Sequence, residues 1–256
     1  GVDYYQDSVD SYHDDYNASG VYTGSAIQGP VGDDATYDLF GLYLQDAIDL
    51  GHRTELTIGA RYTYAAADIG RAADPVVKGN IISIEEDWQN VVGSLRLIHD
   101  LDPDARFKVY GGIAQGFRAP NLSDLSRLDV ARSGELETGA PGLDPEKFIN
   151  YEIGLKTRTD SFRGGLAVFY SDITDMIVRA PTGNIVNGLK EVTKRNAGNG
   201  YIYGLELSAE YDLSPNWTAF GGFAWQYGNV DGYPTSSPVA VEEPVSRLLP
   251  ATGRAA

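Results

Sequence analysis

The sequence predicts an all-β protein, an antiparallel up-and-down transmembrane β-barrel with short periplasmic turns and long extracellular loops. Apolar and polar residues alternate over segments of about 10 to 14 residues, and short and long connections alternate between these segments. The composition agrees, because 30 glycines and 17 tyrosines against a single methionine in 256 residues favour strands and turns over helices.

The strands are predicted from a period of two, which places successive side chains on opposite faces of a sheet. In residues 54–64, Leu56 and Ile58 lie on one face, while Gly59 and Arg61 lie on the other. Similar alternation, cleaner in some segments than in others, predicts strands at residues 39–50, 88–99, 106–116, 148–157, 162–172, 203–213 and 217–227.

Strand length favours a membrane barrel over a soluble sandwich, although both folds show alternation. The segments exceed the usual soluble strand of about 5 to 6 residues, and a tilted membrane strand needs about 9 to 11. Tyrosines and tryptophans near the strand ends fit an interfacial aromatic belt. Apolar stretches all fall short of the roughly 18 residues that a membrane helix needs.

The connections predict two unlike rims. Short turns are expected near residues 51–53, 100–105, 158–161 and 213–216. Long connections are expected at residues 67–87, 117–147, 178–200 and 228–245, with a further outer loop at residues 6–36. In an up-and-down barrel this alternation sorts the short turns to the periplasmic side and the long loops to the extracellular side.

Charge and cysteine content exclude several classes of function. The net charge of −16, from 36 acidic and 20 basic residues, argues against a nucleic-acid partner, which needs a basic face. The absence of cysteine excludes disulfides and thiolate metal sites.

Catalytic and metal-binding patterns are also weak. The three histidines, His13, His52 and His99, accompany neither a nucleophile elbow nor a phosphate loop, so we expect no catalytic residues and no enzyme. The cluster of Asp10, His13, Asp14 and Asp15 matches no calcium-loop spacing, so the sequence predicts neither a metal site nor a cofactor.

A series of motifs suggests a family. The motif Phe117-Arg118-Ala119-Pro120 closes the segment YGGIAQGFRAPNLSDL, and it is followed by GLDPEKFINYEIGLK, FRGGLAVFYSDITDMI, NAGNGYIYGLELSAEYDLSPNWTAFGGFAWQYG and VSRLLPATGRAA. In this order the motifs resemble the barrel of TonB-dependent outer-membrane receptors, from about residue 37 onward. Residues 117–120 are expected to act mainly structurally, because Pro120 restricts Ala119 to extended geometry and ends the strand.

The resemblance implies a barrel of about 22 strands around an N-terminal plug domain, in the outer membrane of a Gram-negative-type bacterium. Residues 1–256 would then be a β-barrel domain fragment of about ten strands, because the plug, the partner-binding segment and the last strands are not recognised in them. The implied partners are outer-membrane lipid and lipopolysaccharide, a TonB-type energy-transducing protein acting through the plug, and a small-molecule metal chelate.

The candidate ligand-binding residues lie in one predicted extracellular loop. Arg118, Arg127 and Arg132 offer guanidinium groups that suit the carboxylate, catecholate or hydroxamate oxygens of an anionic ferric chelate. The alternative is ion pairing with the loop's own carboxylates, which are Asp124, Asp129, Glu135 and Glu137. A second basic cluster, Lys190, Lys194 and Arg195, is interpreted as solvated charge. The resemblance also implies that a haem receptor would pair the motif at residues 117–120 with a histidine in the loop that follows, so the lack of histidine in residues 121–147 argues against haem.

Three hypotheses follow from the sequence. The first is an energy-coupled receptor for a scarce ligand such as a ferric siderophore. The second is a passive, porin-like channel of about ten strands. The third is a soluble secreted β-sandwich binding module, which would remain monomeric without detergent.

Overall fold

A computed structural model of the chain describes residues 1–131, 134–233, 239–244 and 247–255, the last range by its backbone alone. The elements are β1 (Val2–Val9), β2 (Asp14–Tyr16), β3 (Tyr22–Ser25), β4 (Asp33–Gly51), β5 (Thr54–Ala73), β6 (Ile81–Asp100), β7 (Phe107–Arg118), α1 (Leu122–Ser126), β8 (Asp129–Val130), β9 (Glu135–Thr138), β10 (Glu146–Arg158), β11 (Phe162–Val186), β12 (Leu189–Ser214), β13 (Trp217–Gly232), β14 (Val241–Pro244) and β15 (Arg247–Ala255).

The long strands form one antiparallel sheet in the order β1-β4-β5-β6-β7-β10-β11-β12-β13-β14, with β15 also paired to β13. Each long strand pairs through hydrogen bonds with the next long strand in the sequence, which is the up-and-down topology of a barrel wall. This path confirms the predicted fold and the count of about ten strands, and it excludes a sandwich of two facing sheets. Among the described residues β1 pairs with β4 alone, so the sheet is an open section of wall.

The two faces of the wall differ as the alternation predicted. On the outer face large apolar side chains are exposed, for example Leu44 at 77%, Val91 at 67% and Ile153 at 61%. On the inner face Arg61 donates from Nη2 to both carboxylate oxygens of Asp3, at 3.0 Å each. A Cβ added at Gly41 would collide with both of these side chains, so glycine makes room for the ion pair. The exposed apolar face therefore requires lipid as its solvent.

The short turns lie where the sequence predicted them, at residues 52–53, 101–106, 159–161 and 215–216. Three long connections were predicted too long. Residues 6–9 and 33–36 of the expected outer loop 6–36 belong to β1 and β4, and the connection 67–87 shrinks to residues 74–80 because β5 and β6 both continue past the expected membrane band. Of the connection 228–245, residues 234–238 and 245–246 lie outside the described residues.

The predicted loop 178–200 is wrong, because β11 and β12 continue as one extended hairpin. Its turn is Asn187-Gly188, with φ angles of 50° and 80°. Two positive φ values are what a two-residue hairpin turn of the primed type needs, and Asn-Gly is the preferred pair for it. The Asn-Gly dipeptide therefore indicates a hairpin turn in the sequence. The strands on either side were missed because apolar and polar residues do not alternate beyond the lipid band.

A buried hydrophobic cluster lies at the outer end of the wall. It joins the inner faces of β4, β5 and β6 to the connection between β7 and β10, and comprises Ala35, Ala65, Ala67, Ile69, Ala72, Ile84, Trp88, Ala119, Leu122, Leu125, Ala140 and Leu143. Within the described part of the chain, no helix is both long and apolar enough to cross a membrane.

Candidate functional site

The connection between β7 and β10, residues 119–145, folds inward and is called the inner loop below. Its Leu125 is completely buried against a cluster that includes Ile69 of β5 and Trp88 of β6. Trp88 also donates from Nε1 to the carbonyl oxygen of Leu143, at 2.9 Å. Burial of these apolar side chains fixes the inner loop against the inner face of the wall, at the extracellular mouth.

Local sequence determines how the inner loop begins. The strand β7 ends at Arg118, two residues before the buried Pro120, as the proline predicted. The side chain of Asn121 then accepts from the backbone nitrogen of Asp124 at 2.9 Å, and Asp124 accepts from the backbone nitrogen of Asn121 at 3.1 Å. This reciprocal capping box starts the short helix α1 and orients the Asp124 carboxylate.

A second loop closes over α1. Gln28, from the connection between β1 and β4, is 2% exposed and donates to the carbonyl oxygen of Ser126 at 2.6 Å. Its side-chain oxygen accepts from the backbone nitrogen of Ala73 at 2.7 Å. The buried amide thus links α1 to the end of β5. Nothing in the polar sequence around Gln28 distinguished it from a solvated loop residue.

The predicted ligand-binding residue Arg118 lies in an ion-pair network. Its Nε donates to Glu146 at 2.5 Å, and its Nη1 donates to Asp124 at 2.8 Å. The other oxygen of Asp124 accepts from Lys194 of β12, at 2.6 Å. The Asp124 and Glu146 side chains are 6% and 8% exposed, so these acids hold Arg118 and Lys194 from the buried side of the network.

Arg127 belongs to the same network, together with Arg179, which was not among the predicted ligand-binding residues. Arg127 contacts Asp129 at 3.0 Å and Glu137 at 3.7 Å. Arg179 of β11 contacts Glu135 and Glu137, each at 3.1 Å. In the sequence Arg179 was a lone arginine in a predicted loop, and only the hairpin fold brings it to the inner loop.

The third predicted residue, Arg132, lies outside the described residues. The ion pairing considered as the alternative for the loop's arginines is present at Arg118 and Arg127. Pairing leaves both side chains accessible, at 39% and 37% exposure, and Arg179 is similar at 39%. The mouth therefore presents three guanidinium groups whose positions are fixed by largely buried carboxylates.

Asp124 keeps its negative charge in the network. Burial would raise the pKa of the Asp124 carboxyl, but hydrogen bonds from Lys194, Arg118 and the Asn121 backbone outweigh burial and place that pKa below its usual value. Asp124 is therefore ionised at neutral pH, and it anchors both cations.

The second basic cluster is divided by the fold. Lys194 is a half-buried member of the network, contrary to its interpretation as solvated charge, whereas Lys190 and Arg195 are exposed. The strand β9 of the inner loop pairs in parallel with β12 over Glu135–Thr138, opposite residues 190–193. The inner loop is thus attached to β5 and β6 on one side and to β12 on the other.

The histidines lie apart from this mouth network. His13 contacts Asp15 at 3.2 Å beside the β2–β3 hairpin, where Asp14 accepts from Ser25. His99 contacts Thr54 at 2.9 Å near the opposite rim. In the described part of the chain, no group of three or more His, Asp or Glu side chains is placed to hold a metal ion.

Known proteins share both sequence and fold with this chain. A family model described as "TonB dependent receptor-like, beta-barrel" matches residues 1–256. The ferric enterobactin receptor PirA of Pseudomonas aeruginosa is 26% identical over 184 residues, which cover 66% of this chain and 22% of that protein. The vitamin B12 transporter BtuB of Photobacterium profundum is 26% identical over 143 residues, which cover 56% and 22%.

Solved structures show the same wall. The hemophore receptor HasR of Serratia marcescens, in complex with its hemophore and heme, superposes with a TM-score of 0.70 over 91% of this chain and 43% of that one, at 14% identity. That identity supports the fold alone. The chain spans about a fifth of the length of the curated relatives it matches.

Proposed function

Because the chain belongs to the TonB-dependent receptor family, as part of its β-barrel, we propose that the protein takes up a ferric siderophore-type chelate across the outer membrane of a Gram-negative bacterium. The names of the relatives include different ligands, such as vitamin B12 and ferric enterobactin. Membership of the receptor family is therefore the starting point, and the ferric chelate as ligand is what we propose. The observation that supports an anionic chelate is the set of Arg118, Arg127 and Arg179 at the mouth.

The chemistry of this set suits a chelate with several oxygens. A guanidinium group donates in a fixed plane and matches the paired oxygens of carboxylate or catecholate groups. Arg127 and Arg179 both contact the same oxygen of Glu137, Oε2, so two cations converge on one anchor. A chelate oxygen placed at their exposed edges would meet donors that are already ordered, which lowers the entropic cost of binding.

Passage through the barrel is proposed to need a TonB-type energy-transducing protein, which acts through a plug domain. The inner face offers charged side chains for a plug to contact, among them Arg163, which pairs with Glu210 and Asp212. Glu206 and Glu210 lie on this same inner face of β12, where a lining role accounts for both.

Lipid is the proposed partner of the outer face. Tyr170 lies 6.3 Å from Tyr151 and stacks on Tyr201 at 6.1 Å, and Tyr201 stacks on Tyr203 at 6.3 Å, measured between ring centroids. The row continues to Trp225, 5.9 Å from Tyr203. Rings with one polar edge are favoured where the acyl chains of a membrane meet its head groups, which include lipopolysaccharide in an outer membrane.

Uptake by cells that carry the full-length receptor as their only receptor of this family tests the proposal. Radiolabelled ferric enterobactin, haem and cyanocobalamin are offered separately, with and without the energy-transducing partner. We expect uptake of the ferric chelate that depends on the partner. Uptake of cyanocobalamin or haem instead would refute the chelate, and uptake without the partner would indicate a passive channel.

Substitution of Arg179 tests whether the guanidinium groups at the mouth bind the chelate. We expect Arg179→Gln to weaken chelate binding about tenfold or more, as loss of a charge-assisted hydrogen bond predicts. Arg163→Gln is the matched control, because Arg163 is similarly exposed at 42% and also pairs with two carboxylates, but it lies on the lumen wall near the opposite rim. Equal effects of the two variants would exclude a specific role for the mouth.

A further inference from the structure

The outer part of the β11–β12 hairpin, residues 176–197, lies beyond an irregular stretch of the two strands and is called the strap below. The register between β11 and β12 shifts between Ile173 and Met176, and again between Met176 and Ile177. Asp175, within this irregular stretch, has a φ angle of 56°. Bulges bend a strand and increase its twist, so the strap takes a direction of its own.

One side chain fixes the base of the strap. Asn196 donates from Nδ2 to the carbonyl oxygens of Asp144 and Asp175, at 2.6 and 2.8 Å. Its Oδ1 accepts from the backbone nitrogen of Asp144 at 2.7 Å. The base of the strap is thereby bound to the end of the inner loop.

The tip of the strap is held by a buried carboxylate. Glu191 is 2% exposed and accepts from Thr182 and Asn184, each at 2.8 Å, within the strap. It also accepts from the ammonium group of Lys78, in the connection between β5 and β6. Burial would raise the pKa of Glu191, but the hydrogen bonds from Lys78, Asn184 and Thr182 outweigh burial and lower it.

The Lys78–Glu191 contact reaches across two intervening strands of the sheet. The strands β7 and β10 lie between β6 and β11, so the two hairpins are separated by three interstrand steps, or about 14 Å. Since their tips are nevertheless in contact, the hairpins converge above the ends of β7 and β10, where the inner loop begins and ends. Arg179 and Lys194 of the strap contact the inner loop below this point.

We propose that residues 176–197 are a strap that closes the extracellular mouth over the inner loop, and that the Lys78–Glu191 ion pair is its latch. The latch is suited to release, because Lys78 is 43% exposed while Glu191 keeps two donors within the strap when the lysine leaves. An anionic ligand that engages Lys78 would compete with Glu191 and favour the open strap. This last step rests on the proposed function.

Cysteine labelling of the full-length receptor on intact cells tests the latch without any ligand. Residues 1–256 contain no cysteine, so Ala140→Cys, at a position 7% exposed in the inner loop, introduces a single thiol there. Its rate of reaction with a membrane-impermeant maleimide reports opening of the mouth. We expect Lys78→Met to raise this rate about five- to thirtyfold, the effect of one to two kcal/mol on the opening equilibrium.

Lys108→Met is the matched control, because Lys108 is 41% exposed and pairs with Asp100 near the opposite rim, so its loss should leave the labelling rate unchanged. Ser126→Cys, at a position 3% exposed, is a second probe if Ala140→Cys disturbs packing. Equal rates with and without Lys78 at both probes would overturn the strap proposal. Uptake of cyanocobalamin or haem instead of ferric enterobactin, with labelling accelerated by Lys78→Met as expected, would refute the proposed function alone.

Discussion

Asp124 is the residue whose loss should most clearly release the inner loop. It is 6% exposed and accepts from Arg118 at 2.8 Å, from Lys194 at 2.6 Å and from the Asn121 backbone at 3.1 Å. Asp124→Asn keeps the shape of the side chain but removes the charge that two cations share. Breaking a buried ion pair costs about 3 to 5 kcal/mol. We expect about 2 to 3 kcal/mol here, because Lys194 and Arg118 are 19% and 39% exposed and solvent screens part of the loss.

Hydrogen exchange of the full-length receptor in detergent measures this cost. The backbone amide of Leu125 donates to the carbonyl oxygen of Asn121 at 3.1 Å, so its exchange rate reports opening of α1. A loss of 2 to 3 kcal/mol should speed its exchange about thirty- to one-hundred-and-fifty-fold. Asp104→Asn is the control, because Asp104 is 70% exposed in a periplasmic turn and should leave this exchange unchanged. Acceleration of less than about threefold by Asp124→Asn would refute the view that the network holds the inner loop.

Three further outcomes are expected. The stabilisation from Asp124 is fully present above the usual aspartate pKa of about 3.9 and is lost as pH falls through the lowered folded-state pKa. Protection of the Leu125 amide, corrected for intrinsic exchange, should therefore be constant from about pH 5 to 8 and should fall below about pH 4. Gln28→Leu should lower the free energy of unfolding by about 1 to 3 kcal/mol, measured by urea titration, because the Ser126 carbonyl and the Ala73 amide lose their buried partner. Asp46→Leu should raise the same free energy by about 1 kcal/mol in lipid vesicles, because Asp46 lies between the exposed Leu44 and Ile48 on the lipid face; a decrease would contradict a lipid-facing Asp46.

The wall was predictable from the sequence because lipid and lumen impose opposite demands on alternate residues. Segments such as residues 54–64 and 203–213 lie within β5 and β12 for this reason. Beyond the lipid band that demand ends, and the outer halves of β11 and β12 were missed although Asn187-Gly188 marked their turn.

The mouth was only partly predictable. Residue type predicted Arg118 and Arg127 as candidates, and Asp124, Asp129 and Glu137 as their alternative partners, which the ion pairs confirm. Glu146, the second partner of Arg118, was not predicted, because it lies 28 residues further along the chain. Arg179 and Gln28 were missed because their partners lie 44 and 98 residues away in the chain, a separation that no local pattern reports. The inward course of the inner loop depends equally on distant packing, since Leu125 is buried against strands that precede it.

The attachments of the inner loop limit how this mouth can diversify. The loop leaves the wall at β7 and returns at β10, yet it packs on β5 and β6, hydrogen-bonds through Gln28 to the preceding outer connection and pairs with β12. Exchange of this loop alone between related receptors would therefore leave unmatched charges and cavities in four other elements. Transfer of ligand preference should require the inner loop to move together with the strands and the outer connection that it contacts, as a single inherited unit.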